Sequence, residues 1–561
     1  MQFITTSFFF RNQVALGIGV LLALAPVGLR AQTVVAPDAT FGTAGMASTG
    51  LEGNAQVMSS TTLSQFFPNR MGQVVRVGNR LLVAGFSPNS SYFVVKGLTL
   101  NGQVDATFGT NGVLTVPLAN SECRALAVQP DGKVVAAGAT TLIADVPVFV
   151  RFSANGVLDA SFGTGGVLTA SMGTFPNSGI TRVAVLPDGR LVGLALPSTT
   201  AGSGSSLLYR ITATGQFDNT YNGTTPYTIL NGYLLRQLRA QPDGRLLLAG
   251  VGPLLNGNTK RPAAVLRLTA DGLPDASFGT GGTALLNATQ TTNSVTTPAD
   301  TDAFDVDVQP TTGKVVVAGR VHYDASRSAG NSPVLLRFNA DGTPDAAFNA
   351  AASQLLPSTG GFQALAAQPN GTLVVGGNYQ PLSGRPSQPL LARYTTAGQL
   401  DASFNPNGDV PAGAYVRSLT SNSNYATVSS LLVDPAGSIL TLGGFELLPG
   451  QNSATGLLLS RYTASATLGA RANAAVLGLE AGPVPATETV QLRYTLPGAA
   501  PVVAQVYDLL GRAVGRPLAA SWQAAGPQAL ALDVQGLAPG IYTCVLDAGA
   551  WHQGVRLVVA P

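Results

Sequence analysis

Charge, cysteine and histidine are all scarce in this 561-residue chain. Only 11% of the residues are charged, against about 25% in an average soluble protein, and 31 basic residues nearly balance 28 acidic ones for a net charge of +3. No block of Lys or Arg offers the electrostatic footprint that nucleic acid needs, so no nucleic-acid partner is expected. The two cysteines, Cys123 and Cys544, fall in what read as different domains, which argues against a disulfide framework. Neither has a metal-ligand neighbour at useful spacing, and both are expected as small buried apolar residues. With only His322 and His552 as neutral-pH bases, Ser-His-Asp chemistry would have to use His322, and no GxSxG-like turn accompanies it. Beyond the N-terminus no run reaches the ~18 uninterrupted apolar residues of a membrane span, so no transmembrane helix is expected in the mature protein.

What the chain has in quantity is glycine (66), proline (36) and short β-branched runs, a turn-rich all-β composition. Arg11 followed by a mostly apolar run from Val14 to Leu29 reads as a secretory signal over residues 1–31, with cleavage after Ala31.

A phrase then recurs seven times, starting at Asp38 (DATFGTAG), Asp105 (DATFGTNG), Asp159 (DASFGTGG), Asp218 (DNTYNGTT), Asp275 (DASFGTGG), Asp345 (DAAFNAAA) and Asp401 (DASFNPNG). A period of about 60 residues signals one supersecondary unit stacked against its own copies, because one copy cannot bury its apolar face alone. Each unit holds four strand-like pieces, clearest as GVLTV (from Gly112), RALAVQP (from Arg124), KVVAAG (from Lys133) and PVFVRF (from Pro147). The second and third form a hairpin through QPDG at Gln129 and Gln241, LPDG at Leu186, QPTTG at Gln309, QPNG at Gln368 and DPAG at Asp434. Pro presets φ, Asp or Asn caps the turn, and Gly accepts the positive φ that follows. The fourth pieces end on Arg151, Arg210, Arg267, Arg337, Arg393 and Arg461, and the first five of these stand eight positions before the next motif Asp.

Four-stranded meanders repeated around a ring describe a seven-bladed β-propeller over residues 38–466. The combination DASFGTGG, QPDGKVVAAG and LLRFNADG resembles the delta-60 repeat, a bacterial family of propeller units, over about three-quarters of the chain. After a small-residue linker at 467–473, residues 474–561 form a second short-stranded β pattern. TETVQLRYTL (from Thr487), VVAQVYDLLGRAV (from Val502), LALDVQGLAPGIYTCVL (from Leu530) and VRLVV (from Val555) resemble the type A sorting domain of the type IX secretion system. The Pro-Asn-Pro that usually opens that domain stands here as Pro483-Val484-Pro485. The resemblance implies an immunoglobulin-like sandwich, the secretion machinery as a partner, attachment to surface lipopolysaccharide, and a Bacteroidetes-like protein that is secreted or displayed on the cell surface.

Seven equivalent carboxylates do not make one active site. The motif Asp is expected to cap a turn or pair with a strand-four Arg, and the motif Phe to wedge between blades. Asp300, Asp302, Asp305 and Asp307 form a candidate calcium cluster, although their spacing is not that of an EF-hand. In a meander, alternate connections emerge on opposite faces, so the PDG turns and motif links share a uniform face. The other face carries dissimilar loops from Pro197, Gly252, Arg320, Asn378 and Phe445, and loops on a rigid scaffold are where binding residues concentrate. Lys260, Arg261, His322, Tyr323, Asp324, Arg327, Tyr379 and Arg385 are therefore the candidate contacts for a glycan or protein ligand. The expected function is a binding or scaffold module; the alternative is a secreted carbohydrate- or peptide-active enzyme using the same face.

Overall fold

The computed structural model describes residues 32–43, 45–51, 72–86, 92–140, 145–170, 178–197, 204–221, 225–254, 260–292, 295–322, 331–352, 359–380, 387–405, 414–417, 423–434, 437–447, 456–467, 478–496, 500–508, 513–548 and 551–560. The signal-peptide segment lies outside them. Two compact units divide the chain, Gln32–Thr467 and Leu468–Pro561 with residues 1–31.

Seven blade sheets and one two-stranded hairpin, Thr289–Thr292 with Val295–Pro298, make up the first unit among the described residues. In the second blade, for example, Ser121–Val128, Val134–Thr140, Val146–Phe152 and Val167–Thr169 run as a meander from the innermost strand outward. The hairpin between its first two strands behaves as its sequence demands: Gly132 has φ +82°, and the Asp131 carboxylate accepts the Lys133 N–H at 3.0 Å. The same cap recurs from Asp188 to Arg190, Asp243 to Arg245 and Asn370 to Thr372.

Sheet and sequence repeat are out of phase by one strand. The GVLTV piece that follows a motif Asp pairs with the preceding unit's last strand: Val113–Val116 lies beside Phe93–Thr99, and Val167–Thr169 beside Val146–Phe152. The first repeat consequently has no preceding blade in sequence, and its strand closes the ring. Gln32–Pro37 and Met46–Ser48 both pair antiparallel with Gly456–Thr467, the last long strand of the seventh blade. The fifth blade departs from the pattern, since a short helix, Ala346–Ala352, stands where an outer strand would follow Asn331–Phe338.

Consecutive blades share apolar cores. Phe108 sits between the first and second blades, Phe162 between the second and third, Tyr221, Phe278, Phe348 and Phe404 between the following pairs, and Phe41 between the seventh and first. All seven motif aromatics are at most 5% exposed. Full burial of a ring this size contributes roughly 1.5–3 kcal/mol.

A second regularity explains the final glycine of pieces such as VVAAG. Innermost strands carry a β-bulge at Arg124, Thr181, Arg236, Phe304 and Gln363. A Cβ on the facing Gly138, Gly250, Gly319 or Gly377 would come within 1.9–2.1 Å of a backbone carbonyl oxygen of the bulged strand. Glycine permits that approach in these four blades, while the third blade carries Ala195 at the equivalent place.

The C-terminal unit is a two-layer β structure. Glu480–Gly482, Thr489–Leu496 and Gly526–Asp533 form one sheet; Ala513–Gln523, Ala500–Tyr507, Gly540–Ala548 and Trp551–Val559 form the other. Strict alternation in TVQLRYTL buries Val490, Leu492, Tyr494 and Leu496 in a core shared with Val506, Cys544 and Leu557. The Tyr542 hydroxyl donates back to the Ala538 carbonyl at 2.7 Å, tying down the LAPG turn. Cys123 and Cys544 are both free and buried.

Candidate functional site

The seven motif carboxylates are consumed by structure. In the second repeat pair, Asp159 accepts the Ser161 N–H and hydroxyl on one oxygen and Arg151 Nε at 2.8 Å on the other. Arg151 also lies 4.7 Å from the Phe162 ring centroid and donates to the Ala213 carbonyl of the next blade's turn at 2.6 Å. This latch thus joins a turn cap, an ion pair, a cation–π contact and a bond across the blade boundary. Equivalent pairs are Arg210–Asp218, Arg267–Asp275, Arg337–Asp345 and Arg393–Asp401, at 2.7–2.8 Å.

Two latches escape the eight-residue rule. Arg461 closes the ring onto Asp38 at 2.7 Å, 423 positions away. Position 97, eight before Asp105, is a glycine against which the Phe108 ring packs, and Arg80, from the adjacent strand, takes over at 2.6 Å from Asp105. Arg80 occupies the place that Lys133, Arg245 and Lys314 hold in other blades, where each reaches its own motif Asp.

The candidate calcium carboxylates do not converge. Asp300 accepts the Arg261 N–H at 2.7 Å and faces Lys260. Asp302 lies between Arg320 at 3.3 Å, His322 at 3.0 Å and Arg236 at 3.7 Å. Burial opposes its charge, and His322, Arg236 and Arg320 overcome that, holding the carboxyl well below its usual range. Asp305 accepts Gln237, Arg239 and the Leu365 N–H; Asp307 accepts the N–H groups of Val308 and Ala367. Each of the four carboxylates already has cationic or N–H partners, Asp302 Oδ1 being a buried oxygen without one, and among the described residues no group of three or more His, Cys, Asp or Glu could hold a metal ion, so the set does not fit calcium.

Of the candidate ligand contacts, His322 needs correction. It ends the strand Val315–His322 and is 0% exposed, its Nε2 against Asp302, so its ring belongs to a buried ionic cluster and not to a loop surface. Tyr379 lies in the strand Leu373–Gln380 and packs partly against the core between the fifth and sixth blades. Lys260 and Arg261 do stand together at the base of a variable connection, tied to Asp300, with Asn287 donating to the Arg261 carbonyl at 3.1 Å. Tyr323, Asp324, Arg327 and Arg385 lie outside the described residues.

A polar arc on the innermost strands was not apparent from the sequence. Arg182 in the third blade, Gln237 and Arg239 in the fourth, and Asp305 and Asp307 in the fifth occupy equivalent positions after the bulges, where the second and sixth blades carry Ala125, Ala127, Ala364 and Ala366. Arg239 donates to Asp305 at 3.2 Å and to the Leu365 carbonyl of the sixth blade at 3.4 Å. The fourth and sixth blades are not neighbours, so this bond reaches across the ring's centre. Burial pulls Arg182 down to about 10, with Asp305 opposing and Arg239 reinforcing the fall. Asp305 and Asp307 share a strand face because side chains alternate along a strand; only ring closure brings Arg239 to them.

Seven blade sheets, each packed on the next and the last closed by the first strands, define an all-β propeller followed by a small β domain. Residues 129–162, 241–278, 311–348 and 368–404 match the beta-propeller domain of unknown function DUF5122, and residues 482–560 match the secretion system C-terminal sorting domain. The chain carries DUF5122 propeller repeats and ends in a type IX sorting domain, which marks it for export and a secreted or cell-surface location. No helix among the described residues is long and apolar enough to cross a membrane. No curated protein matches the chain. Among solved structures it is similar to hydrazine synthase of Kuenenia stuttgartiensis (14% identity, 68% of this chain and 94% of that one, TM-score 0.36). It is also similar to a PL25 ulvan lyase (8%, 75% and 96%, 0.39) and to Sqt1 from Chaetomium thermophilum (14%, 70% and 96%, 0.33).

Proposed function

We propose that the exported propeller is a binding or scaffold module for a glycan or protein ligand, and that its ligand face is the one formed by the connections between the second and third strands of each blade. One observation carries this reading: the motif carboxylates are all tied up in latches at the opposite ends of the strands. The connections that do not repeat then supply the loop chemistry particular to this protein. These run between Phe86 and Phe93, Thr140 and Val146, Pro197 and Ser205, Val251 and Ala263, His322 and Asn331, Gln380 and Gln388, and Leu447 and Gly456. Seven dissimilar loops on a rigid ring suit selective binding.

Screening the full chain on glycan and protein arrays tests the reading, followed by joint replacement of Tyr323, Arg327 and Arg385 with Ala. Loss of the captured ligand by roughly tenfold or more, with an unchanged melting temperature, is expected if these loops supply charged or aromatic contacts. Undiminished binding by the triple variant would remove the face from consideration, and turnover of a captured glycan would replace a binding role with an enzymatic one.

A further inference from the structure

We infer that the centre of the ring is a second binding site, independent of the loops, that takes a carboxylate group between Arg182 and Arg239. Arg239 stands on the innermost strand of the fourth blade and reaches the Leu365 carbonyl of the sixth, so its side chain, 39% of it accessible, lines the centre of the ring. Its Nη2 is committed to Asp305 and to the Leu365 carbonyl, whereas its buried Nε–H has no acceptor among the described residues. An unmet buried donor carries a desolvation penalty that an incoming oxygen would remove.

Two further features select an anion, and a planar one. Arg182 and Arg239 stand after the bulges on the innermost strands of adjacent blades, and Arg239 has Asp305 as its carboxylate partner; a second negative group between the two cations would offset their mutual repulsion. Asp307, pushed upward by burial, has its Oδ2 turned to the Ala367 N–H at 2.9 Å. A guanidinium presents parallel N–H groups that match a carboxylate's two oxygens, which a spherical anion cannot exploit as fully. These residues lie toward the PDG-turn ends of the innermost strands, away from the variable connections, so the central site stands or falls separately from the loop face.

Glucuronate, acetate and glucose are the probes, titrated into the full chain by calorimetry at low ionic strength. Glucuronate and acetate should bind with one site per chain and glucose should not. Arg239→Gln keeps a donor for Asp305 but loses the fork, and should weaken glucuronate binding roughly tenfold to a hundredfold, the range for losing a hydrogen bond to a charged group. Arg239→Lys, which keeps the charge, should show a similar loss. Circular dichroism of both variants establishes that the ring is intact. Absence of binding by either carboxylate, equal binding of glucose, or full affinity in a folded Arg239→Gln protein would overturn the assignment. The triple loop variant should bind glucuronate as the wild type does; a loss there would also overturn it.

Discussion

The seven latches are chemically alike but not equally insured, and the difference can be measured. Asp401 has Arg393 as its one cationic partner among the described residues, at 2.8 Å, with Ser403 on its other oxygen. Asp275 has two cations, Arg267 at 2.7 Å and Arg245 at 3.1 Å. Breaking a buried ion pair by removing one partner costs about 3–5 kcal/mol, because the remaining charge is left without compensation. Arg393 and Asp401 are 16% and 13% exposed, so Arg393→Met should fall near the lower end, about 3 kcal/mol. In Arg267→Met the Arg245 guanidinium stays beside Asp275, so the uncompensated-charge part of the penalty shrinks and the loss should be the smaller of the two.

Urea unfolding of the isolated variants, followed by circular dichroism because both tryptophans, Trp522 and Trp551, lie in the C-terminal unit, reads the difference directly when the slope of the transition is unchanged. The double variant Arg393→Met/Asp401→Leu should recover part of the single-variant loss, since an apolar pair leaves no charge buried. An Arg393→Met protein within about 1 kcal/mol of wild type, the ordinary yield of a surface pair, would refute the claim that the latches hold the ring. So would a larger loss for Arg267→Met than for Arg393→Met.

Two other outcomes follow from the same geometry. The Ser277 hydroxyl, with the Ser277 N–H and Arg267, brings Asp275 down to about 2 against the effect of burial, and Asp345 is held at about 2 by Lys314, the Phe348 N–H and Arg337 in spite of burial; an unfolded Asp titrates near 3.9. Their stabilisation is complete above that unfolded value and is lost as pH falls toward 2, so the urea midpoint should drop between about pH 4 and pH 2; a flat profile there counts against the latches. Gly319→Ala would place a Cβ 1.9 Å from the Asp302 carbonyl oxygen, and the forced backbone shift should cost about 1–3 kcal/mol in the same assay, whereas an unchanged midpoint would mean that the bulge does not need glycine.

Much of the propeller was legible because its determinants are local. PDG turns, alternating strands and the eight-residue Arg-to-Asp spacing each lie within a short window, and the aromatic residue that follows each Asp, Phe or Tyr221, repeats with them. What was hidden depends on closure. Arg461 and Asp38 are partners across 423 positions, and Arg80 substitutes for an arginine absent at Gly97 only because neighbouring strands bring it there. His322 was misplaced for a related reason: its loop-like sequence RVHYD begins inside a strand whose partner supplies Asp302. Sequence shows the histidine beside a variable segment, while strand pairing determines that its ring is buried.

The one-strand offset between repeat and sheet ties these points together. Had each repeat folded as its own sheet, the motif Asp and the Arg eight positions before it would lie in different blades, and the array could end anywhere without loose ends. With the offset, each motif after the first, except that of Asp345, which leads into a helix, links the third strand of a sheet to the outer strand of that same sheet, and Arg side chains such as Arg151 and Arg267 cross to the next blade's turn. An open row of such units leaves one sheet without its outer strands and one latch without its Asp. Gln32–Pro37, Met46–Ser48 and Asp38 meet both needs. The first residues after the expected signal cleavage point are therefore the ones that complete the ring, and the seventh blade cannot be finished until the chain's beginning reaches its end.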